Sequence, residues 1–421
     1  MRSGVAAGTA LQTILDLLRR ERGGRLFFAA YAQSALGNGA GVVALVVLAY
    51  ARGHSAWAIA LVLMAEFLPS MALGPLLGAA ADRWPRRWCL VASDLVRAGA
   101  FIGIGFVGGI EATLALALVA GAGAGAFTPA ALASLPELVD ERRLPAATSL
   151  YGALTDLGRT AGPGIAALVL LLGAPESIAV ANGATFLVSA AILAALPVKR
   201  TAPAERGPAA GLLREAREGI VAAARTPGIR VLVLASSGIL LFLGTLNVGV
   251  LLLARELGAG SAGYSVLEAV FGVGFVAGSL TGVRASAPFE LKRRYLAGML
   301  VIALGTIASG AAPGFAVAIG AFAVTGFGNG VLLVHERLIF QAVVPDRLKG
   351  RLFAVIDTAG SWAFAISFAC AGAFVSVLGT RGLFELAGVC GLAIFAGSAW
   401  ALRTAWRPTA PRLGEPAVAE T

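Results

Sequence analysis

Charge is scarce in this chain of 421 residues: Asp, Glu, Lys and Arg make up 13% of it, against 58% hydrophobic residues. With a mean hydropathy of +0.84, that balance excludes an ordinary soluble domain, which carries about 25% charged residues. Histidine is nearly absent, with two in all, so a histidine-based metal centre or acid–base cluster has little to draw on. The three cysteines, Cys89, Cys370 and Cys390, sit in apolar runs without metal-ligand spacing. They read as small core residues and imply no disulfide framework. No phosphate-binding loop and no nucleophile constellation appears, which argues against an enzyme and against ATP as the driving force. Gly103-Ile-Gly105-Phe-Val-Gly108 matches a dinucleotide-loop pattern only by letter, because no strand precedes it and no acid follows it. Gly121-Ala-Gly-Ala-Gly125 likewise reads as helix packing. Short alternating segments are missing too, which excludes an outer-membrane barrel.

What is present, many times over, is the apolar run of about 20 residues that crosses a bilayer as a helix. The sequence predicts an all-α membrane protein with twelve spans, at about 25–51, 57–80, 88–108, 112–134, 147–173, 176–197, 229–254, 262–284, 295–312, 315–338, 350–378 and 382–403. These form two six-helix bundles, 25–197 and 229–403. Residues 1–24 are expected to form an arm whose Leu11, Ile14, Leu15 and Leu18 lie on a membrane surface beside Arg19, Arg20 and Arg22. The first span then acts as an uncleaved insertion signal. Residues 198–228, with Pro203, Pro208 and many charges, read as a linker containing an amphipathic helix; 404–421 read as a disordered tail. The net charge of +10 is a matter of topology rather than of a nucleic-acid partner. Apart from Arg52, Arg255 and Arg381 in opposite loops, and Arg97 and Arg159 within spans, the basic residues fall in the termini and alternate loops. Both termini and those loops are therefore expected in the cytoplasm, with the chain in the inner membrane.

The chain also repeats itself. A shift of about 204 residues lays Gly74 and Gly78 on Gly278 and Gly282, and Arg143-Leu144 on Arg347-Leu348, the mark of parallel halves. The turn after the second span is the most concentrated feature. It carries glycines on a helix end, one acid and three arginines: Gly74, Gly78, Asp82, Arg83, Arg86 and Arg87. In the second copy Ser286 replaces the acid. Ionisable groups inside spans cost several kcal/mol at mid-bilayer and are functional candidates by default. Glu66 in span 2 and Glu268 in span 8 lie at comparable depth. A carboxylate buried without a partner is disfavoured when charged, which suits it to exchange protons. Asp94 with Arg97, and Asp156 with Arg159, fall at i, i+3 spacing and are expected to form desolvated ion pairs. Asn38, Asn247 and Asn329 are polar candidates for an otherwise apolar central cavity, and Asp357 is a further buried acid. His335-Glu336-Arg337 reads mainly as gate or lipid-facing charge, with proton transfer as the lesser reading.

Several of these stretches resemble a known family. Gly74-Pro-Leu-Leu-Gly78 followed by Asp82-Arg83-Trp84-Pro85-Arg86-Arg87 resembles the signature loop of the major facilitator superfamily. Phe127-Thr-Pro-Ala130, Leu135-Pro-Glu-Leu138, Arg159-Thr-Ala-Gly-Pro163, Gln341-Ala-Val-Val-Pro345 and Gly350-Arg351 continue the likeness. Together they resemble the branch holding enterobactin-type siderophore exporters and macrolide or multidrug efflux proteins. The resemblance implies a secondary active transporter, most simply a proton-coupled exporter of an amphipathic drug or siderophore-like metabolite by alternating access. It needs no cofactor beyond the proton gradient, and its partners are the small-molecule substrate, protons and membrane lipids, with the chain acting as a monomer. A facilitator or importer of a metabolite or lysophospholipid is the alternative, and a non-transporting sensor or scaffold a second. The resemblance further implies that Asp82 latches the start of helix 11, near Gly350 and Arg351. Arg83, Arg86 and Arg87 would pair with lipid phosphates or with Glu137, Asp140 and Glu141. It also implies that Gly158, Gly162 and Pro163 bend helix 5 and admit close packing. Two departures stand out: Pro85 replaces a usual glycine, and span 4 lacks the arginine that the family often uses in proton transfer.

Overall fold

A computed structural model describes residues 12–81, 84–173, 175–197, 217–218, 220–221, 223–284, 287–344 and 346–405. Among them there is no strand. The long helices are α1 (Arg22–Gly53), α2 (Ala56–Ala81), α3 (Arg86–Phe106), α4 (Ile110–Leu138), α5 (Leu144–Leu170) and α6 (Pro175–Ala194) in the first half. The second half has α7 (Pro227–Glu256), α8 (Gly260–Ser279), α9 (Pro288–Gly310) and α10 (Phe315–Val343). A final stretch, Asp346–Ala401, is broken at Gly379, whose φ of 71° and ψ of 178° suit glycine. It divides there into α11 (346–378) and α12 (380–401). Proline opens α5, α7 and α9, where its missing N–H costs nothing.

Among the described residues, eight stretches are long and apolar enough to cross a membrane: α1, α3, α4, α6, α7, α8, α10 and the joined α11–α12 segment. In α5 and α9 polar residues interrupt the apolar run. Helix α5 spends Thr148, Ser149, Thr155, Asp156 and Arg159 on a polar face, and α9 begins with Glu290, Lys292, Arg293 and Arg294. Large apolar side chains such as Phe106, Leu168, Leu172 and Val377 stand exposed on the outside, where a bilayer is the solvent that accounts for them.

The two halves are built alike. In the first, α1 packs on α5 and α6, α2 on α4, and α3 on α4 and α6. In the second, α8 packs on α10, α9 on α10, and α7 and α9 on the α11–α12 stretch. The halves meet through α5 with α8 and α2 with α11, two contacts related by the sequence repeat. Where helices touch most closely, glycine is the reason. A Cβ on Gly39 would overlap the Gly158 carbonyl, and one on Gly162 would lie 2.6 Å from Gly39 Cα. Thus Gly158 and Gly162 do seat the backbone of α1, as small residues do in membranes. Around Pro163, α5 remains one continuous helix.

Two expectations change at the ends. The arm helix, residues 12–20, buries Leu17, a residue outside the anticipated apolar stripe, in a cluster with Phe27, Leu138 and Val139. An Arg143–Glu21 ion pair of 2.5 Å clamps it there. The arm is therefore docked on the α4–α5 connection, with Leu15 left exposed. Helix α11 starts at Asp346, not near Gly350. Gly350 and Arg351 lie in its second turn, so their N–H groups are already within the helix and the free donors sit earlier. Residues 1–11, most of the linker (198–216) and 406–421 lie outside the described residues, as do Asp82 and Arg83.

Candidate functional site

The helix ends and connections on one face of the bundle carry Arg86, Arg87, Arg142, Arg143, Arg293, Arg294 and Arg337; we call it the basic face. Between the halves, a cleft of about 780 Å³ opens there. It is lined by the start of α5 (Leu144, Thr148, Gly152 and Asp156), with Glu141 and, from α10, Arg337. On the opposite face the halves are closed together. The Trp57 indole of α2 lies directly on Gly372 of α11. Phe67 meets Phe364 and Phe368 at centroid distances of 5.9 and 5.8 Å. The Arg255 guanidinium of α7 sits 4.6 Å over the Tyr50 ring of α1. The protein is thus open to the basic face and sealed on the other.

Deeper in the first half is a buried charge cluster. Arg97 of α3, 9% exposed, pairs with Asp94 at 3.4 Å and donates to Asn38 Oδ1 of α1 at 3.2 Å. Its guanidinium stacks 3.8 Å over Phe186 of α6 and 5.5 Å from Phe127 of α4. The anticipated Asp94–Arg97 pair therefore exists, and a cation–π contact adds about 0.5–2 kcal/mol to its hold. Glu66 of α2, buried, lies within electrostatic range of Arg97. Among the described residues, Glu66 Oε2 and Asp94 Oδ2 are buried without a hydrogen-bond partner. The glycine run of α4 makes this cluster possible. A Cβ on Gly121 would overlap the Glu66 carbonyl, and one on Gly123 would come 2.8 Å from Arg97 Cγ. These glycines pin α2 at Glu66 and leave a channel for the arginine stem.

An aromatic stack adjoins that cluster through Phe127. Tyr31 of α1 stacks on Tyr151 of α5 at 4.4 Å and on Phe127 at 6.1 Å, and its hydroxyl lies 2.7 Å from Thr155 Oγ1. Sequence reasoning missed Tyr31, Tyr151 and Phe186. The one available signal was a lone arginine in an apolar span opposite a glycine run.

The other candidates are distributed unevenly. Asp156 lines the cleft but forms no ion pair with Arg159, which is exposed. Glu268 is half-buried on α8 beside Tyr264, near the α5–α8 contact between the halves. Asn247 is half-buried and donates to its own-turn Gly244 carbonyl at 3.1 Å. Asn329 is half-buried on α10. Of all these candidates, Asp156 alone lines the cleft among the described residues. At the basic turn, Arg86 bonds Glu137 at 2.5 Å and also donates to the Ala133 carbonyl. Arg87 donates to Leu196 O at 3.3 Å and covers Trp88. Gly74, Gly78, Gly350, Arg351 and Asp357 fall within helices, but their surroundings, like the latch at Asp82, lie outside what is described. His335 and Glu336 are both buried inside the second half, which corrects the reading of them as gate or lipid-facing charge. Among the described residues no group of His, Cys, Asp and Glu forms a metal site.

Comparison with known proteins agrees with this architecture. The profile of the Major Facilitator Superfamily matches residues 27–252. The chain is 26% identical over 395 residues to the uncharacterized MFS-type transporter YfiS of Bacillus subtilis, covering 88% of this chain and 91% of that one. It is likewise 26% identical over 395 residues to the multidrug efflux pump Tap of Mycolicibacterium fortuitum, covering 85% and 90%. Among solved structures, a bacterial homolog of the human lysosomal transporter Spinster, in an inward-facing and unoccupied conformation, superimposes with a TM-score of 0.66. That match has 14% identity and covers 94% of this chain and 99% of the other.

Proposed function

The chain belongs to the major facilitator superfamily and is a multi-pass membrane transporter, and we propose that it is a proton-coupled exporter of amphipathic small molecules. The observation that carries this reading is the buried Glu66 oxygen left without a partner beside the Arg97–Asp94 pair. In a low-dielectric core a carboxylate so placed has two economical states. It can be neutral, or it can be charged and drawn to Arg97 in competition with Asp94. A proton arriving at Glu66 would free Arg97 for Asp94, and its departure would draw Arg97 back. Because Arg97 is also stacked on α6 and bonded to α1, that exchange would be felt by three helices.

In this reading the basic face is cytoplasmic, so the structure is the inward-open arm of an alternating-access cycle. Substrate enters the cleft past Asp156, and the aromatic stack of Tyr31, Tyr151 and Phe127 gives an amphipathic molecule rings to stack on. Closing the basic face would bring Asp82 to the start of α11, where free N–H groups and the helix dipole favour an anion. Export by the multidrug pump Tap, a relative over most of the chain, supports the direction. The test is to reconstitute the protein in inverted vesicles with an imposed pH gradient and add lipophilic dyes, macrolides and a catecholate siderophore in turn. Dissipation of the gradient by at least one, abolished in Glu66→Gln, is expected. No dissipation by any, with Glu66→Gln unchanged in transport, would refute antiport.

A further inference from the structure

The second half buries a carboxylate for which the proposed exchange has no use. Glu336 of α10 is 6% exposed, and its Oε1 accepts a hydrogen bond of 2.5 Å from Ser236 Oγ of α7. Ser236 Oγ in turn lies 3.2 Å from the hydroxyl of Tyr295 on α9. Both Ser236 and Tyr295 are themselves buried. We propose that Glu336 is a second proton-binding site, read and relayed through the Ser236–Tyr295 hydroxyl pair.

The surroundings favour a titrating acid over a fixed charge. Among the described residues, Glu336 has no ion pair. Arg294 of α9, which acts electrostatically on the neighbouring His335, spends a donor on Thr281 O at 2.8 Å. Arg337 neighbours Glu336 electrostatically but lines the cleft. His335, fully buried, donates from Nδ1 to Val331 O at 2.7 Å, which leaves Nε2 as a buried lone pair without a partner. From α7 the group facing Glu336 is the neutral Ser236, and from α9 the neutral Tyr295. A carboxylate surrounded by hydroxyls in this way is satisfied by hydrogen bonds in either protonation state, while no neighbouring cation locks it in one.

The proton balance is simple. With Glu336 charged, the Tyr295 hydroxyl donates to Ser236 and Ser236 donates to the carboxylate. When a proton from cleft water adds to the carboxylate, the new carboxyl O–H donates to Ser236 Oγ, and the Ser236 hydroxyl turns to donate to Tyr295. No bond other than the O–H forms, and both hydroxyls merely rotate. Arg337, next in sequence to Glu336, lines the cleft. The first half would then hold its buried acids, Glu66 and Asp94, beside an arginine, and the second would hold Glu336 by hydroxyls.

This inference rests on the proton-coupled reading for its role, but its test does not. Full-length protein in lipid is followed by infrared difference spectroscopy across steps of pH, without substrate, in the wild type and in Glu336→Gln, Glu66→Gln and Ser236→Ala. Expected is a carboxylic C=O band that appears on acidification, is lost in Glu336→Gln and survives in Glu66→Gln. In Ser236→Ala it should change frequency, because the carboxyl group loses its partner. A set of bands in Glu336→Gln identical to that of the wild type would overturn the proposal. Should Glu336→Gln elute as aggregate, Ser236→Ala and Tyr295→Phe decide, and no change in any acid band in either overturns it equally. Failure of vesicles to couple any probe to the pH gradient would refute antiport without touching this band, so the two failures are told apart.

Discussion

The seal opposite the cleft can be opened by a single methyl group. In the structure the Trp57 ring lies on Gly372, and a Cβ added there would stand 2.6 Å from Trp57 Cδ2 and 2.8 Å from Cε3. Carbon atoms rest about 3.5–4 Å apart, so Gly372→Ala forces a retreat of about 1 Å. The atoms met are at the fused edge of the indole and not at the tip of a flexible chain, so the whole ring or the helix behind it must move. Overpacking of this kind costs about 1–3 kcal/mol. It applies only while α2 and α11 are in contact, that is, in the sealed state. The equilibrium should therefore shift away from the basic-face-open form by about 5–150-fold. Spin labels on a cysteine-free background, at Ser55 with Ser376 on the sealed face and at Ser149 with Gln341 on the basic face, report it as two distance distributions. In Gly372→Ala the first should lengthen and the second shorten. Adding Trp57→Ala should cancel the effect, since the ring that the methyl strikes is gone. Unchanged distances in a folded Gly372→Ala protein, or a double variant that behaves like the single, would refute the reasoning.

Other outcomes follow from the buried contacts. Arg97→Met strands Asp94 without its cation and should cost about 3–5 kcal/mol, read as unfolding in detergent micelles; adding Asp94→Leu should recover most of it. Gly162→Leu places a side chain into the α1 backbone and should prevent folding, measured as loss of the monodisperse peak in size-exclusion chromatography. Gly320→Leu, at a glycine with open space around it, should leave that peak intact. Asp82→Asn should slow transport in vesicles while leaving substrate affinity nearly unchanged, because the residue is assigned to a gate. Loss of binding with normal cycling would remove it from that role.

The architecture was legible because membrane solvent imposes it. Every span must satisfy its backbone internally and offer the lipid an apolar surface, so composition and basic-loop alternation suffice to draw the helices. The i, i+3 rule found Asp94–Arg97 and failed for Asp156–Arg159, and the difference is environment. Arg97 enters a groove kept open by Gly123 and floored by Phe186. At Arg159 no neighbouring helix closes over the side chain, and Asp156 has the cleft to face. Spacing along one helix cannot carry that distinction, which depends on what the adjacent helices bring. The same limit hid the burial of Glu336, whose hydroxyl partner Ser236 comes from α7 and is itself bonded to Tyr295 of α9, far away in sequence. It hid Leu17 as well, because an amphipathic stripe says which face is apolar but not whether lipid or protein covers it.

The repeat explains why the halves share contacts without sharing chemistry. Their packing must match, since α2 against α11 and α5 against α8 are one interface used twice, and close-packing glycines recur where it does. In α2 against α4 the glycine at the contact is Gly121, and in α8 against α10 it is Gly326 and Gly330, each meeting a backbone carbonyl of its partner. The polar groups are under no such constraint. In the first half an arginine fills the space that α4 glycines leave, and a charged cluster results. In the second, Ser236 donates to Glu336 and in turn meets the Tyr295 hydroxyl, at positions that the repeat does not lay on Arg97 or Glu66. Rocking needs two halves alike in shape. Under the proposed proton coupling, the halves can nonetheless differ in how they hold their buried acids, one beside an arginine and the other by hydroxyls.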